Sequence, residues 1–216
     1  MLERFRQFWT NVWAPLGNLL LRLGVSPNTV TLVGTIGVVV GAVVFFPQGK
    51  LLVGVIVITC FVFSDMIDGY MARASGRVSP FGAFWDSTLD RIGDAAIFGG
   101  LAMYYVGPGD NDWFAALAIY CLSMGSVTSY ARARAESLGM QAKVGIAERA
   151  DRLVAILVVT GAADLLNHLG VGKGALWAIP VTLGVLALAS TVTVIQRVLV
   201  VRDQARALGT HVEPEG

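Results

Sequence analysis

Six long apolar stretches, near residues 29–46, 51–74, 80–106, 112–136, 147–168 and 174–201, decide what this chain can become. At 1.5 Å of rise per residue, each is long enough as a helix to cross about 30 Å of hydrocarbon. Breakers separate them: Pro47-Gln48-Gly49, Ser75-Gly76, Gly107-Pro108-Gly109, Gly139 and the run from Gly170 to Gly174. Charged residues make up only 14% of the 216 and hydrophobic ones 55%, whereas soluble domains carry about 25% charge. The expectation is an all-α integral membrane protein with six transmembrane helices in a single membrane domain over 1–216. Gly34, Gly37 and Gly41 put small residues on one span, which lets neighbouring helices approach closely. Neither a separate soluble domain nor an internal repeat is visible.

Residues 2–14 have a different pattern. Leu2, Phe5, Phe8, Trp9, Val12 and Trp13 recur at helical spacing, with Glu3, Arg4, Arg6 and Gln7 among them. That interleaving excludes a signal peptide and gives an interfacial amphipathic helix. Ser26-Pro27-Asn28-Thr29 then starts the first span, since Ser caps well and Pro fits the first helical position. Of the 16 Lys and Arg residues, only Lys50 and Lys173 fall on the far side of a six-span layout. The other fourteen share the side of both termini, which puts the termini in the cytoplasm of a multi-pass cell-membrane protein. A net charge of +1 lacks the basic excess of a nucleic-acid binder. Cys60 and Cys121 lie in separate apolar runs and read as small buried hydrophobes, with no disulfide framework or zinc pattern.

Four carboxylates interrupt the second and third spans: Asp65, Asp68, Asp86 and Asp90. Each costs roughly 2.5–3.5 kcal/mol at the centre of a membrane helix, so four together need a purpose. Spacings of three and four put each pair on one helix face, near the cytoplasmic ends of an antiparallel hairpin. Ser79 can cap the second helix of that hairpin, with Pro80 in its first turn. Convergent oxygen ligands of this kind suit Mg²⁺, Mn²⁺ or Ca²⁺, and the absence of nearby His or Cys argues against zinc. Gly69 and Gly82 clear the adjoining surface for a bulky ligand, and Arg73 is placed to meet a phosphate. The competing reading pairs the aspartates with Arg73, Arg77 and Arg91 as interfacial ion pairs.

The pattern Asp65-x2-Asp68-Gly69-x2-Ala72-Arg73-x8-Gly82-x3-Asp86-x3-Asp90 resembles the signature of the CDP-alcohol phosphotransferase family, with every position filled. The six-span layout behind a short amphipathic helix is similar too, so the resemblance covers nearly the whole chain. It implies transfer of a phosphatidyl group from CDP-diacylglycerol to an alcohol with release of CMP, using Mg²⁺ or, in its place, Mn²⁺. It implies that Asp65, Asp68 and Asp86 hold metal, and that Asp90 is the catalytic base and a further metal ligand. Gly69, Arg73, Gly82 and Asp86 would line the CDP-diacylglycerol site, with Ser79, Pro27 and Asn28 as additional members. The family is generally homodimeric, so a homodimer among membrane lipids is expected, without nucleic acid.

A second cluster of charge marks the acceptor. Arg132 and Arg134 end the fourth span, Arg152 begins the fifth, and Arg197 lies in the cytoplasmic half of the sixth. Four guanidiniums at similar depth suit a dianionic phosphate better than an uncharged alcohol such as inositol. These arginines, with the Asp-x3-Asp-Arg-Ile-x-Asp continuation from Asp86 to Asp94, resemble actinobacterial members that make phosphatidylinositol phosphate from inositol 1-phosphate. Glycerol 3-phosphate, giving phosphatidylglycerol phosphate, is the competing acceptor. An ion-coupled transporter is the alternative of another class. Against it, the acids cluster at one face, and no interrupted half-helices repeat in the two halves.

Overall fold

The computed structural model describes residues 13–76 and 79–209, with the side chain of Asp65 outside the description. Among the described residues every regular element is helical and none is a strand. In hydrocarbon each backbone N–H and C=O must find its partner within the structure, and a helix provides that locally. The amphipathic helix expected over 2–14 falls almost wholly outside the described residues; residues 13–22 are helical and are called α1 here. The chain forms two compact units, Met1–Pro108 and Gly109–Gly216.

In the first unit, α2 (Pro27–Val40) begins at Ser26, whose Oγ accepts from the Thr29 N–H at 3.2 Å with Pro27 in the first turn. It continues through a π turn, Gly41–Phe45, and a 3-10 turn, Phe46–Gln48, before Gly49 reverses the chain at φ +73°. Next come α3 (Leu51–Val62), α4 (Ser64–Ala74) and α5 (Pro80–Val106), all packed on α2. The expected second span is therefore two helices that meet at Phe63. The glycines of α2 work as close-approach positions: a Cβ on Gly37 would fall 2.1 Å from the Phe61 ring. On the other flank, a Cβ on Gly100 of α5 would fall 2.7 Å from the Ala42 carbonyl oxygen. Phe46, Leu51, Ile58, Met71, Ile97 and Leu101 fill the core between these helices.

In the second unit, α6 (Asp112–Ser137) starts at Asn111, whose Oδ1 accepts from the Phe114 N–H at 3.1 Å. The helix α7 (Arg149–Leu166) starts with a capping box formed by Glu148 and Asp151. A π turn, Asn167–Val171, and a 3-10 turn, Lys173–Trp177, lead into α8 (Ala178–Gly209). α8 packs on both α6 and α7 around Ile156, Ile179 and Leu183. Its 32 residues reach ~48 Å, so it outlasts the apolar run ending at 201. Cys121 is buried and its Sγ–H donates to the Leu183 carbonyl at 3.2 Å. Cys60, expected to be buried, is exposed on α3. Cys60 lines an apolar pocket with Leu16, Leu20 and Phe63, so the sequence pattern around it is the same as for a core thiol.

The outward surface identifies the solvent. Along α8, Val181, Val185, Leu188, Val192 and Ile195 form an exposed stripe at helical spacing, and Val154 and Val158 do so on α7. A monomer in water rarely shows contiguous apolar faces of this size. Five helical segments among the described residues are long and apolar enough to cross a membrane: Pro27–Gln48, Leu51–Ala74, Asp112–Ser137, Arg149–Val171 and Lys173–Leu208. α5 has the length, 27 residues, but carries Asp86, Asp90, Arg91 and Asp94.

Candidate active site

One cavity of about 500 Å³ in the first unit collects the acidic motif. Its lining comes from the start of α2, the middle and end of α4, and the first turns of α5. Pro27, Asn28, Gly69, Arg73, Ser79, Gly82 and Asp86, the seven residues expected around the nucleotide, all line it. Asp68 and Asp90 line it as well. Local structure explains the arrangement. Ser79 caps α5 by accepting from the Gly82 N–H at 3.0 Å, which fixes where the helix begins. Trp85 Nε1 donates to the Asn28 carbonyl at 3.2 Å, tying the first turns of α5 to those of α2. Gly69 lies beneath Arg73, whose Nη1 is 3.4 Å from where a Cβ would stand.

Asp68 is the buried member, 7% exposed, whereas Asp86 is exposed and Asp90 half-buried. Thr31 Oγ1 donates to Asp68 Oδ2 at 2.6 Å, with the Pro27 carbonyl at 3.1 Å as the longer alternative for the same hydrogen. The carboxylates of Asp86 and Asp90 are near enough to repel the Asp68 charge. Three acidic groups on one cavity, with no His or Cys in its lining, form a donor set of hard oxygens suited to a divalent cation. Among the described residues, no three His, Cys, Asp or Glu side chains come close enough to enclose a metal ion by themselves. Asp65 is three residues before Asp68 on α4, with its side chain outside the description. One turn beyond Asp90, the buried Asp94 pairs with Arg91 at 3.6 Å. Thr31, Ala72 and Ala83 also line the cavity, outside the set of expected site residues. The available signal for Thr31 was its position four residues after Pro27, on the same face of α2.

In the second unit, Arg152 and Arg197 are 2% and 4% exposed. Arg152 Nη1 donates to the Ala147 carbonyl at 3.2 Å, and its guanidinium lies against Gly125, where a Cβ would be 3.3 Å from Nη2. Arg197 Nε donates to the Val144 carbonyl at 2.9 Å, and its Nη1 donates to the Thr128 carbonyl. Gly125 and Thr128 are one turn apart, so both guanidiniums lie on one face of α6. Arg132 continues that face, with its Nε 3.1 Å from Glu136 Oε1 and its charge felt at Arg197. Arg134 is exposed on another side of α6, where its Nη1 donates to Ser137 Oγ at 3.3 Å. The structure thus groups Arg132, Arg152 and Arg197 and leaves Arg134 apart from them.

Comparison with known proteins gives one consistent result. The family model for CDP-alcohol phosphatidyltransferase matches residues 24–195. The phosphatidylinositol phosphate synthase of Streptomyces avermitilis is 52% identical over 207 residues, covering 95% of this chain and 84% of that protein. A crystal structure of Mycobacterium tuberculosis phosphatidylinositol phosphate synthase with CDP-DAG bound superposes with a TM-score of 0.82 at 38% identity, covering 88% of this chain and 94% of that one. The same enzyme in complex with manganese and citrate gives 0.79 at 38% identity, with 88% of each chain covered. A match that runs from the loop before α2 nearly to Arg197 takes in the whole acidic cavity, and the chain is a transferase belonging to the CDP-alcohol phosphatidyltransferase family.

Proposed function

We propose that this protein transfers the phosphatidyl group of CDP-diacylglycerol to inositol 1-phosphate, giving phosphatidylinositol phosphate and CMP. The observation that carries the donor half is the single cavity shared by Asp68, Asp86, Asp90, Arg73 and the two glycines. Asp65, Asp68, Asp86 and Asp90 would hold the divalent ion, Mg²⁺ or Mn²⁺. Bound there, it supplies the positive charge that balances the diphosphate and the departing CMP. The Arg73 guanidinium adds a charge-assisted contact to a phosphate oxygen. Gly69, Gly82, Ser79, Pro27 and Asn28 shape the space for the cytidine end. Asp90 takes the proton of the acceptor hydroxyl as its oxygen attacks the lipid-linked phosphorus, and the bond from that phosphorus to CMP breaks. Arg132, Arg152 and Arg197 hold the acceptor phosphate, with Arg134 adding positive charge from the exposed side of α6.

In this reading all six long helical segments cross the cell membrane, α5 included, because Asp86 and Asp90 line a polar site and Asp94 is buried beside Arg91. The termini and both charged clusters are cytoplasmic, residues 1–216 act as one catalytic domain, and the enzyme works as a homodimer. The deciding experiment is CMP release by the detergent-solubilised protein with CDP-diacylglycerol and a panel of acceptors. Inositol 1-phosphate should turn over fastest, ahead of glycerol 3-phosphate, inositol and serine. Preference for glycerol 3-phosphate would move the assignment to phosphatidylglycerol phosphate synthesis. Absence of CMP release with every acceptor would refute the reading.

A further inference from the structure

Three polar side chains on one face of α8, Thr193, Arg197 and Gln204, all bond the backbone of the irregular loop between α6 and α7. Thr193 is fully buried, and its hydroxyl is used to capacity. It donates to the Ala189 carbonyl at 2.8 Å and accepts from the N–H groups of Ile146 at 3.2 Å and Ala147 at 3.3 Å. One hydrogen and two lone pairs allow no more. At the other end of the loop, Gln204 makes a reciprocal pair with Gln141. Its Oε1 accepts from that residue's N–H at 2.9 Å, and its Nε2 donates to the carbonyl at 2.6 Å. Gly145, at φ +145°, lets the backbone pass so close to Thr193 that a Cβ would fall 2.4 Å from its Cγ2.

The carbonyls of this loop hold the buried arginines. Ala147 accepts from Arg152 and Val144 accepts from Arg197. The segment Val144–Ala147 is therefore clamped on one side by Thr193 and grips both guanidiniums on the other. We propose that Thr193, with Gln204 as a second anchor, is a positioning residue for the phosphorylated acceptor. By fixing the loop carbonyls that accept from Arg152 and Arg197, it sets how the two buried guanidiniums are oriented. This rests on the reading that Arg152 and Arg197 take the acceptor phosphate. A bond made only to hold the fold together would affect both substrates alike, whereas a bond that aims these arginines acts on the acceptor alone.

The test is steady-state kinetics of Thr193→Val, Thr193→Ser, Gln204→Leu and Arg152→Gln with CDP-diacylglycerol and inositol 1-phosphate. Valine keeps the shape of threonine and removes both acceptor lone pairs, so the acceptor KM should rise about fivefold, with the donor KM within about twofold. Serine keeps the hydroxyl and should restore the acceptor KM. Gln204→Leu, at the more exposed end of the loop, should give a smaller rise of the same kind, and it decides the matter if Thr193→Val does not fold. An unchanged acceptor KM in Thr193→Val and Gln204→Leu, beside a raised one in Arg152→Gln, overturns the positioning role and leaves the acceptor reading intact. An equal rise of both KM values also overturns it. An unchanged acceptor KM in Arg152→Gln overturns the acceptor reading, and the proposal with it.

Discussion

Thr31 on α2 reaches across to α4 and gives its hydroxyl hydrogen to Asp68 Oδ2 at 2.6 Å, joining residues 37 positions apart in sequence. With the Gly69 backbone N–H as a second partner, the bond holds a carboxylate that is buried at the cavity, where Asp86 is exposed and Asp90 half-buried. Thr31→Val should therefore raise the Mg²⁺ concentration for half-maximal CMP release about tenfold, the scale of a lost hydrogen bond to a charged group. Thr31→Ser should leave it near the starting value. A magnesium titration of each variant checks this, and an unchanged midpoint in Thr31→Val would show that Asp68 is oriented by other contacts.

Direct loss of a carboxylate should cost more than loss of its support. Changes in outer-shell partners reach about a hundredfold, so Asp68→Asn and Asp86→Asn should each reduce turnover by at least that. Asparagine keeps the shape and removes the charge, so the fold should survive. Parallel measurement of Mn²⁺ binding and turnover separates a metal-site defect from general inactivation. Near-native turnover in purified Asp68→Asn would remove it from the metal set.

Asp90 differs from its neighbours in the role assigned to it. As the base, it matters when the acceptor loses its proton, a contribution of about 10²–10⁴ in rate. Asp90→Asn should bind CDP-diacylglycerol close to normally while turnover collapses. Equal losses of donor affinity and rate would make it chiefly a metal ligand.

Packing in the first unit depends on a glycine that the chemistry does not use. The backbone of α5 passes α2 so closely that a Cβ at Gly100 would fall 2.7 Å from the Ala42 carbonyl oxygen and 3.0 Å from its carbon. Backbone atoms cannot swing aside as a side chain does, so Gly100→Val should destabilise the protein by about 1–3 kcal/mol. Thermal unfolding in detergent reads this out, and an unchanged midpoint would mean that the two helices separate at little cost.

What could be read from the chain depends on the range of each interaction. The acidic cavity is legible in the sequence because its carboxylates, arginine and glycines repeat at helical spacing within two adjacent helices. Thr31 shares a helix face with Pro27, but a threonine in an apolar helix gives no sign of a partner on another helix. The helix α8 runs on past the apolar stretch that ends at 201, since the charges after it end an apolar run without ending a helix. Arg202 and Asp203 pair at 2.9 Å, and Gln204 bonds Gln141. Arg132 and Arg134 share a depth near the end of α6, but positions two apart on a helix lie about 200° apart around its axis, and depth alone does not show which face each takes. The loop from Gln141 to Ala147 carries no periodic pattern, and its anchors lie on α8, far along the chain.

That angular separation gives the clearest test of the acceptor site. Arg152 and Arg197 are buried on one face of α6, Arg132 continues that face, and Arg134 is exposed elsewhere. If charge alone mattered, removing any one of the four would weaken the acceptor to a similar degree. If a shaped pocket matters, position decides. Each buried guanidinium bonded to a phosphate dianion should contribute enough that its loss raises the inositol 1-phosphate KM about tenfold or more. It should also narrow the preference for inositol 1-phosphate over inositol, because the lost contact is to the phosphate. Arg197→Gln should therefore lower both affinity and discrimination, whereas Arg134→Gln should shift them only about twofold, the scale of an exposed charge. Kinetics of both variants with both acceptors decide between the two pictures. Equal effects from Arg134 and Arg197 would mean that the phosphate is drawn by diffuse charge rather than held in a pocket.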